Sequence, residues 1–354
     1  RGCGGGYSGG DPQSKCGDGR PDRSRGIGCG HNCRYVLVRG TRIFLRRNGM
    51  KRVCVLGFVL LVGLGSLVAV SAEQGERVVE VEQVRDNLFV LRGAGGNAAA
   101  FVRSSGVVLV DTKPAGWGQP LIDAIGGLTS NPITTIINTH AHFDHVSGNV
   151  EFPSSVEIIA HENTKTLIDE WNPVTGLEGL DYPAVFDVSG GQGTPTRTFD
   201  DRLTIGSGDD QVDLYYFGRG HTGGDSWVVF PALRVMHAGD MFPGKQVPII
   251  DQSNGGSGLD YARTLRMAHA TVTDIDDVIT GHSTVMTRAD IAEMADFVDG
   301  FVADVRARKL GGQTAAQIAE NWKSQPRFRT AYAVPGADRL QAYVQVIFDE
   351  LDAQ

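Results

Sequence analysis

Nine histidines occur in the chain, and three of them fall within a six-residue stretch. Ile136–Asn149 reads IINTHAHFDHVSGN, so His140, His142 and His145 share one segment with Asp144. On an extended backbone residues i and i+2 point to the same side, which predicts that the His140 and His142 imidazoles reach one metal ion. Asp144 and His145 follow where the chain turns; they face another direction and suit a second ion close by. Imidazole combined with carboxylate favours Zn²⁺, with Fe or Mn as alternatives. A lone histidine is more often a surface or core residue. Three imidazoles and a carboxylate this close, however, disfavour one another's charging unless a metal organises them.

Three more candidates lie downstream. FGRGHTGGD places His221 in a glycine-rich loop, MHAGDMF places Asp240 just past an apolar run, and DVITGHS places His282 just past another. Each polar group ends an apolar stretch at a glycine-containing turn, the way a sheet edge collects ligands from distant segments.

The elements that must position these residues are short. Strands are expected at 78–84, 87–91, 98–102, 107–110, 133–137, 156–160, 202–205, 212–217, 226–230, 233–236 and 277–280, from β-branched and aromatic runs between turn residues. A short helix is expected at 120–128. Beyond residue 286 the period changes: Ile291, Met294, Val298, Phe301, Val302 and Val305 share one helical face. Thr287-Arg288-Ala289-Asp290 has capping-box form at its start. Two further helices are expected at 313–323 and 337–352. Strands with interspersed helices and no long linker predict one α/β domain.

The motifs THAHFDH, GHTGGD, AGD and GHS, in that order, resemble those of the metallo-β-lactamase superfamily of metal-dependent hydrolases, and VVLVDT resembles the family strand that ends in a supporting Asp. The resemblance spans nearly all of 78–285. It implies an αββα sandwich with the site on one edge of two sheets, and a binuclear centre. In that pattern His140, His142 and His221 hold the first ion, Asp144, His145 and His282 the second, Asp240 bridges both, and Asp111 supports the ligands from behind. Two zinc ions roughly 3.5–4 Å apart share a hydroxide available at neutral pH, which attacks an ester, lactone, thioester or lactam carbonyl. Asp144 orients that hydroxide and carries a proton to the leaving atom. The best-known lactamase subclass has Cys where this chain has Asp240, and another subclass lacks the bridging Asp. The chain therefore resembles glyoxalase II and lactonases more than true β-lactamases. The alternatives are a true β-lactamase and a mononuclear-iron persulfide dioxygenase of the same superfamily, although the complete second ligand set disfavours the latter.

Loops around the site set specificity. Lys245, in the long loop 241–258, either pairs with a substrate carboxylate or is an ordinary solvated lysine. Trp117, in the KPAGWG loop after Asp111, either lines the substrate pocket or packs its own loop. His161, His237 and His269 match no motif.

The charge is divided along the chain. The 354 residues carry a formal net charge of −8, but residues 1–72 hold 12 Lys/Arg and three Asp, a balance of +9, which leaves −17 for residues 73–354. All five cysteines lie before residue 73, and a Cys29-His31-Cys33 metal site has the wrong spacing for a zinc ribbon. Residues 1–49, with 13 glycines, are expected to be a disordered or non-native extension. From Met50 the chain reads as a signal peptide: Lys51-Arg52, an uncharged run Val53–Val70, then Val70-Ser71-Ala72. The rival is an uncleaved membrane anchor. The acidic remainder opposes a polyanionic substrate, and the 19- and 42-position intervals from His221 to Asp240 and on to His282 are too short for a nuclease insertion. The expected partner is a small-molecule substrate, not nucleic acid and not, after cleavage, a membrane. The C-terminal helices either cover the flank of the site or mediate a homodimer. N-terminal sequencing of exported protein is expected to begin at or beside Glu73; a start elsewhere rejects the leader over 50–72.

Overall fold

Runs such as GVVLV and SWVVF are apolar at nearly every position, a pattern suited to strands covered on both faces. The computed structural model, which describes residues 77–178, 185–324 and 331–354, places them in the middle of two sheets. The extension over 1–49, the leader over 50–72 and the Cys29-His31-Cys33 candidate lie outside the described residues.

The first sheet runs in chain order through β1 (Glu80–Arg85), β2 (Leu88–Arg92), β3 (Ala98–Arg103), β4 (Gly106–Val110), β5 (Ile133–Ile137), β6 (Glu157–His161) and β7 (Arg197–Phe199). Its first four strands are antiparallel neighbours, and β4 to β7 pair in parallel. The second sheet contains β8 (Arg202–Ile205), β9 (Val212–Tyr216), β10 (Ser226–Phe230), β11 (Val235–His237), β12 (Asp277–Ile279) and β13 (Met286–Thr287), in the order β13-β12-β11-β10-β9-β8. Only β11 and β12 pair in parallel there.

Strand alternation builds the layers. Val108 and Val110 of β4 face Val228 and Phe230 of β10 in the core between the sheets, where Phe101 meets Phe230 edge-on at 5.1 Å. Leu109 and Val107 turn outward to Leu121 and Ile125 of helix α1 (Gly118–Gly126). On the other side Trp227, Val229, Met236 and Val278 pack against the C-terminal helices. This is the expected αββα sandwich.

Helices α2 (Phe143–Val146), α3 (Glu162–Glu170), α4 (Val185–Val188) and α5 (Gly258–Thr271) complete the central part, followed by α6 (Arg288–Leu310), α7 (Ala315–Ser324) and α8 (Ala337–Asp352). The capping box forms: Thr287 N and Oγ1 both donate to Asp290 Oδ2, at 2.9 and 2.7 Å. Two sizeable helices, α3 and α5, had no sequence signal. The first buries only Thr164 and Ile168, and the second buries small or polar residues such as Ala262, Thr264 and Ala268 beside Tyr261 and Leu265, so neither shows a strong apolar period. The two- and three-residue strands β13 and β7 are too short for any pattern to register. Among the described residues no helix is long and apolar enough to cross a membrane.

Phe230→Ala opens the core between the sheets. It is expected to cost about 3–5 kcal/mol, read as a lower urea midpoint at an unchanged slope.

Candidate metal centre

Every candidate ligand follows the C-terminal end of a strand. Beyond β5 the chain bends through His140 to His142, the residue before α2, and that single turn carries Asp144 and His145. The His140–His142 pair is thus held by bends rather than by a continued strand, yet the rings still meet, with centroids 4.7 Å apart. His221 follows β9, Asp240 sits in a tight turn after β11, and His282 follows β12. Asp111 follows β4 in the left-handed region at φ 58°, a conformation that Asp tolerates better than most residues.

The seven residues form two adjoining groups. One joins His140, His142, His221 and Asp240, all buried; the other joins Asp144, His145 and His282, of which His282 is the exposed member. The Asp240 carboxylate lies between them. Its Oδ2 is 3.7 Å from His221 Nε2 and 3.1 Å from His282 Nε2, and its Oδ1 is 3.3 Å from His145 Nε2. Asp144 Oδ2 is 3.4 Å from His282 Nε2 and 3.9 Å from His145 Nε2.

Groups behind the rings fix which nitrogen faces inward. His142 Nε2 donates to Asp251 Oδ2 at 2.7 Å, and His145 Nδ1 donates to Asp111 Oδ2 at 2.7 Å. His221 Nδ1 donates to the Ile249 carbonyl at 3.0 Å. Thr139 Oγ1 gives its proton to Asp111 Oδ2 at 2.8 Å and so accepts from His140 Nδ1 at 2.9 Å. With those protons turned outward, the His140, His142 and His221 rings each present a lone pair to the centre. His142 Nδ1 and His221 Nε2 face each other in this way at 3.0 Å, and His140 Nε2 is buried with no hydrogen-bond partner.

Two facing lone pairs repel unless a cation lies between them. Protonation is a poor substitute in the first group: burial and the His142 ring push His221 down to about 4, and burial with the neighbouring His145 ring pushes His140 well below the usual imidazole value. In the second group carboxylates prevail. Burial opposes charge on His145, but Asp240, Asp144 and Asp111 hold its pKa well above the ordinary value. Burial likewise opposes charge on Asp240, but His282 and His145 hold it well below the carboxylate range. Inward imidazole lone pairs beside an excess of carboxylate make a donor set for divalent metal.

The sequence profile described as "Metallo-beta-lactamase superfamily" matches residues 91–282, which contain all seven residues. The chain belongs to this superfamily. The superfamily match and the homologues mark it as a metal-dependent hydrolase. It is similar to "Metallo-beta-lactamase type 2" of Elizabethkingia meningoseptica, 23% identical over 256 residues that cover 69% of this chain and 93% of that one. It also resembles "2,4-dinitroanisole O-demethylase subunit alpha" of Nocardioides sp. (strain JS1661), 26% identical over 63% of this chain and 62% of that one. In fold it resembles a metallo-beta-lactamase from Erythrobacter litoralis, with a TM-score of 0.52 and 18% identity over 64% of this chain and 98% of the other.

Around this superfamily site the structure adds supports that the motifs did not announce. Asp251, in the loop expected only to set specificity, accepts from His142, from Thr175 N at 2.9 Å and from Asn254 Nδ2 at 2.6 Å, while its own N donates to the His221 carbonyl at 3.0 Å. Burial works against its charge, but these hydrogen bonds hold its pKa at about 2. Asp225 closes the GHTGGD loop by accepting from Thr222 N at 2.8 Å and Thr222 Oγ1 at 2.6 Å. Tyr261 of α5 donates to the Asp240 carbonyl at 2.8 Å. The two halves of the site are tied by Asn97, whose Nδ2 donates to the Thr280 and Ser283 carbonyls, both at 2.8 Å. Glycine is required twice where backbone abuts the centre: a Cβ at Gly96 would strike the His145 ring, and one at Gly281 would strike Asp240 Oδ1.

A cavity of about 260 Å³ opens over the cluster, with His142, Asp144, His221, Asp240 and His282 in its wall. Neither substrate-binding candidate contributes to that wall. Lys245 is paired elsewhere, 3.0 Å from Asp290 Oδ1 and 2.8 Å from Glu293 Oε2, so its charge is met by α6. Trp117 packs its own loop, with its ring against Gly93 and under the Lys113 ammonium at 5.9 Å. Lys113, which the sequence did not single out, is fully buried; burial lowers its pKa to about 8, and its Nζ donates to the Gly96 carbonyl at 2.7 Å.

Asp251→Asn keeps the shape of the His142 support and removes its charge. It is expected to weaken metal binding roughly 10–100-fold in competition with a chromophoric chelator, and to lower the metal-free thermal midpoint as well, because the hydrogen bonds that keep Asp251 ionised stabilise the fold.

Proposed function

We propose that this hydrolase is a two-zinc enzyme that cleaves an ester, lactone, thioester or lactam carbonyl of a small molecule, with Fe or Mn as alternative metals. The observation that carries the reading is the Asp240 carboxylate, within 3.1–3.7 Å of imidazole nitrogens from both ligand groups. His140, His142 and His221 would hold one ion, Asp144, His145 and His282 the other, with Asp240 between them.

When bound, the ions supply a water-derived nucleophile at neutral pH and polarise the carbonyl. The protein's own residues prepare the rest. Thr139, Asp111, Asp251 and the Ile249 carbonyl hold four imidazoles in one tautomer, so little reorganisation is needed during reaction. Asp144, half-buried on the cavity wall, orients the attacking water and passes a proton to the leaving atom. Apolar wall residues such as Phe143, Val174, Leu177 and Ile249 keep bulk water from the bond being broken. The leader over 50–72 and the acidic balance of 73–354 support an exported enzyme acting on small molecules.

His142→Ala and Asp144→Asn are each expected to abolish hydrolysis, a loss of at least about 100-fold, while the far-ultraviolet circular dichroism stays that of the parent. Metal analysis is expected to give about two zinc ions per chain; a single iron with oxygen uptake on a persulfide overturns the proposal. The substrate panel is a β-lactam, a homoserine lactone, an aryl ester, S-lactoylglutathione, a phosphodiester and 2,4-dinitroanisole.

A further inference from the structure

The cavity over the metal cluster carries one permanent cation on its wall, and that cation comes from beyond the region matched to the superfamily. Arg339 stands in the first turn of α8, while the match ends at His282. Its position is built by the fold. Segment 331–335 runs beside the loop after Asp240: Ala333 N donates to the Lys245 carbonyl and Val247 N to the Ala333 carbonyl, both at 2.9 Å, and Gln246 pairs with Ala333 in a parallel bridge. The chain then enters α8, which is anchored by the buried Leu340 and Tyr343. Gln246, Ile249 and Arg339 are shared with a second cavity of about 170 Å³ that continues from the first. Arg339 therefore marks the junction between the end lined by the candidate ligands and a second cavity of mixed polar and apolar lining.

In the acidic part of the chain several surface arginines meet carboxylates, Arg219 with Asp260, Arg234 with Asp276, Arg266 with Asp296 and Arg308 with Asp304, whereas Arg306 does not among the described residues. Arg339 makes no ion pair among the described residues. A guanidinium on a cavity wall, met by no carboxylate of the described residues, offers a planar fork that matches a substrate carboxylate.

We propose that Arg339 is an anion subsite, and that the substrate carries a carboxylate or comparable anionic group remote from the scissile carbonyl. The proposal rests on the carbonyl-hydrolase reading above and narrows its substrate class. Because Arg339 is solvent-exposed, its effect is modest, in the range of exposed charge pairs rather than buried ones.

The test uses two probes with the zinc-loaded protein: the mono-p-nitrophenyl ester of glutaric acid and the matching ester of glutaramic acid. The parent is expected to favour the carboxylate ester in kcat/KM. Arg339→Gln is expected to reduce that preference about two- to fivefold, through KM rather than kcat, and Arg339→Lys to restore most of it. The same preference in Arg339→Gln as in the parent, or a parent that favours the amide, overturns the proposal. If the parent turns over neither ester, the carbonyl-hydrolase reading fails for esters, and calorimetric binding of 3-phenylpropionate against 3-phenylpropanamide then decides the subsite. A carboxylate preference that Arg339→Gln loses upholds it; a preference that is absent, or unchanged in Arg339→Gln, overturns it.

Discussion

The imidazoles of His140, His142 and His221 point their lone pairs into a buried space, and no protein donor answers them. The arrangement is unfavourable in isolation, because facing acceptors repel and burial disfavours the protons that would relieve them. It persists because each ring is held from behind by an acceptor: Asp111 for His145, Thr139 and through it Asp111 for His140, Asp251 for His142, and the Ile249 carbonyl for His221. A divalent cation turns this repulsion into the favourable interaction of the site. The carboxylates of Asp144 and Asp240 supply the negative charge that a second cation would balance.

This constraint dictates how the sheets must meet. The first sheet supplies His140, His142 and His145, and the second supplies His221, Asp240 and His282, so an error in sheet registration is an error in ligand geometry. The apolar core of Phe101, Val108, Val228 and Phe230 sets the separation. Asn97 sets the alignment at the edge, since the same side chain bonds two carbonyls of the turn that bears His282. Gly96 and Gly281 let backbone approach His145 and Asp240 more closely than any side chain would permit. A small hydrogen-bond tie and two missing Cβ atoms thus do at the edge what packing does in the middle.

The legibility of the sequence follows from the same physics. Ligands at the ends of β-branched strands were readable, because the strand, the glycine turn and the histidine lie together in the chain. Strand 226–230 coincides with the pattern because continuity is set by two covered faces, 133–137 because its β-branched run enters the core, and 202–205 because alternation is set by one half-covered face. Asp251 was unreadable: its role depends on His142, 109 residues away, and an Asp in a proline- and glycine-rich loop has no local signature. Helices α3 and α5 were hidden because packing against neighbours, not a strong apolar stripe, holds them in place. Lys245 shows the reverse error. A lysine near a site motif looks free for substrate, whereas in the fold α6 brings Asp290 and Glu293 to it.

The placement of Lys245 also shows how the wall of the cavity is held. The ligands and their strands belong to the part of the chain shared with the superfamily, and their geometry leaves little room for change. The loop after Asp240 is bound at its far side by the C-terminal segment, through the Ala333 hydrogen bonds and the Lys245 pairs with α6. Residues of that loop, Pro243, Gln246 and Ile249, form cavity wall on one side while Ile249 and Asp251 hold ligand rings on the other. Changing the C-terminal helices would therefore move the wall of the cavity, and Arg339 with it, without touching a metal ligand. Part of the cavity wall is thereby set by a stretch of chain that carries no candidate ligand, and the loop after Asp240 links that stretch to the ligands.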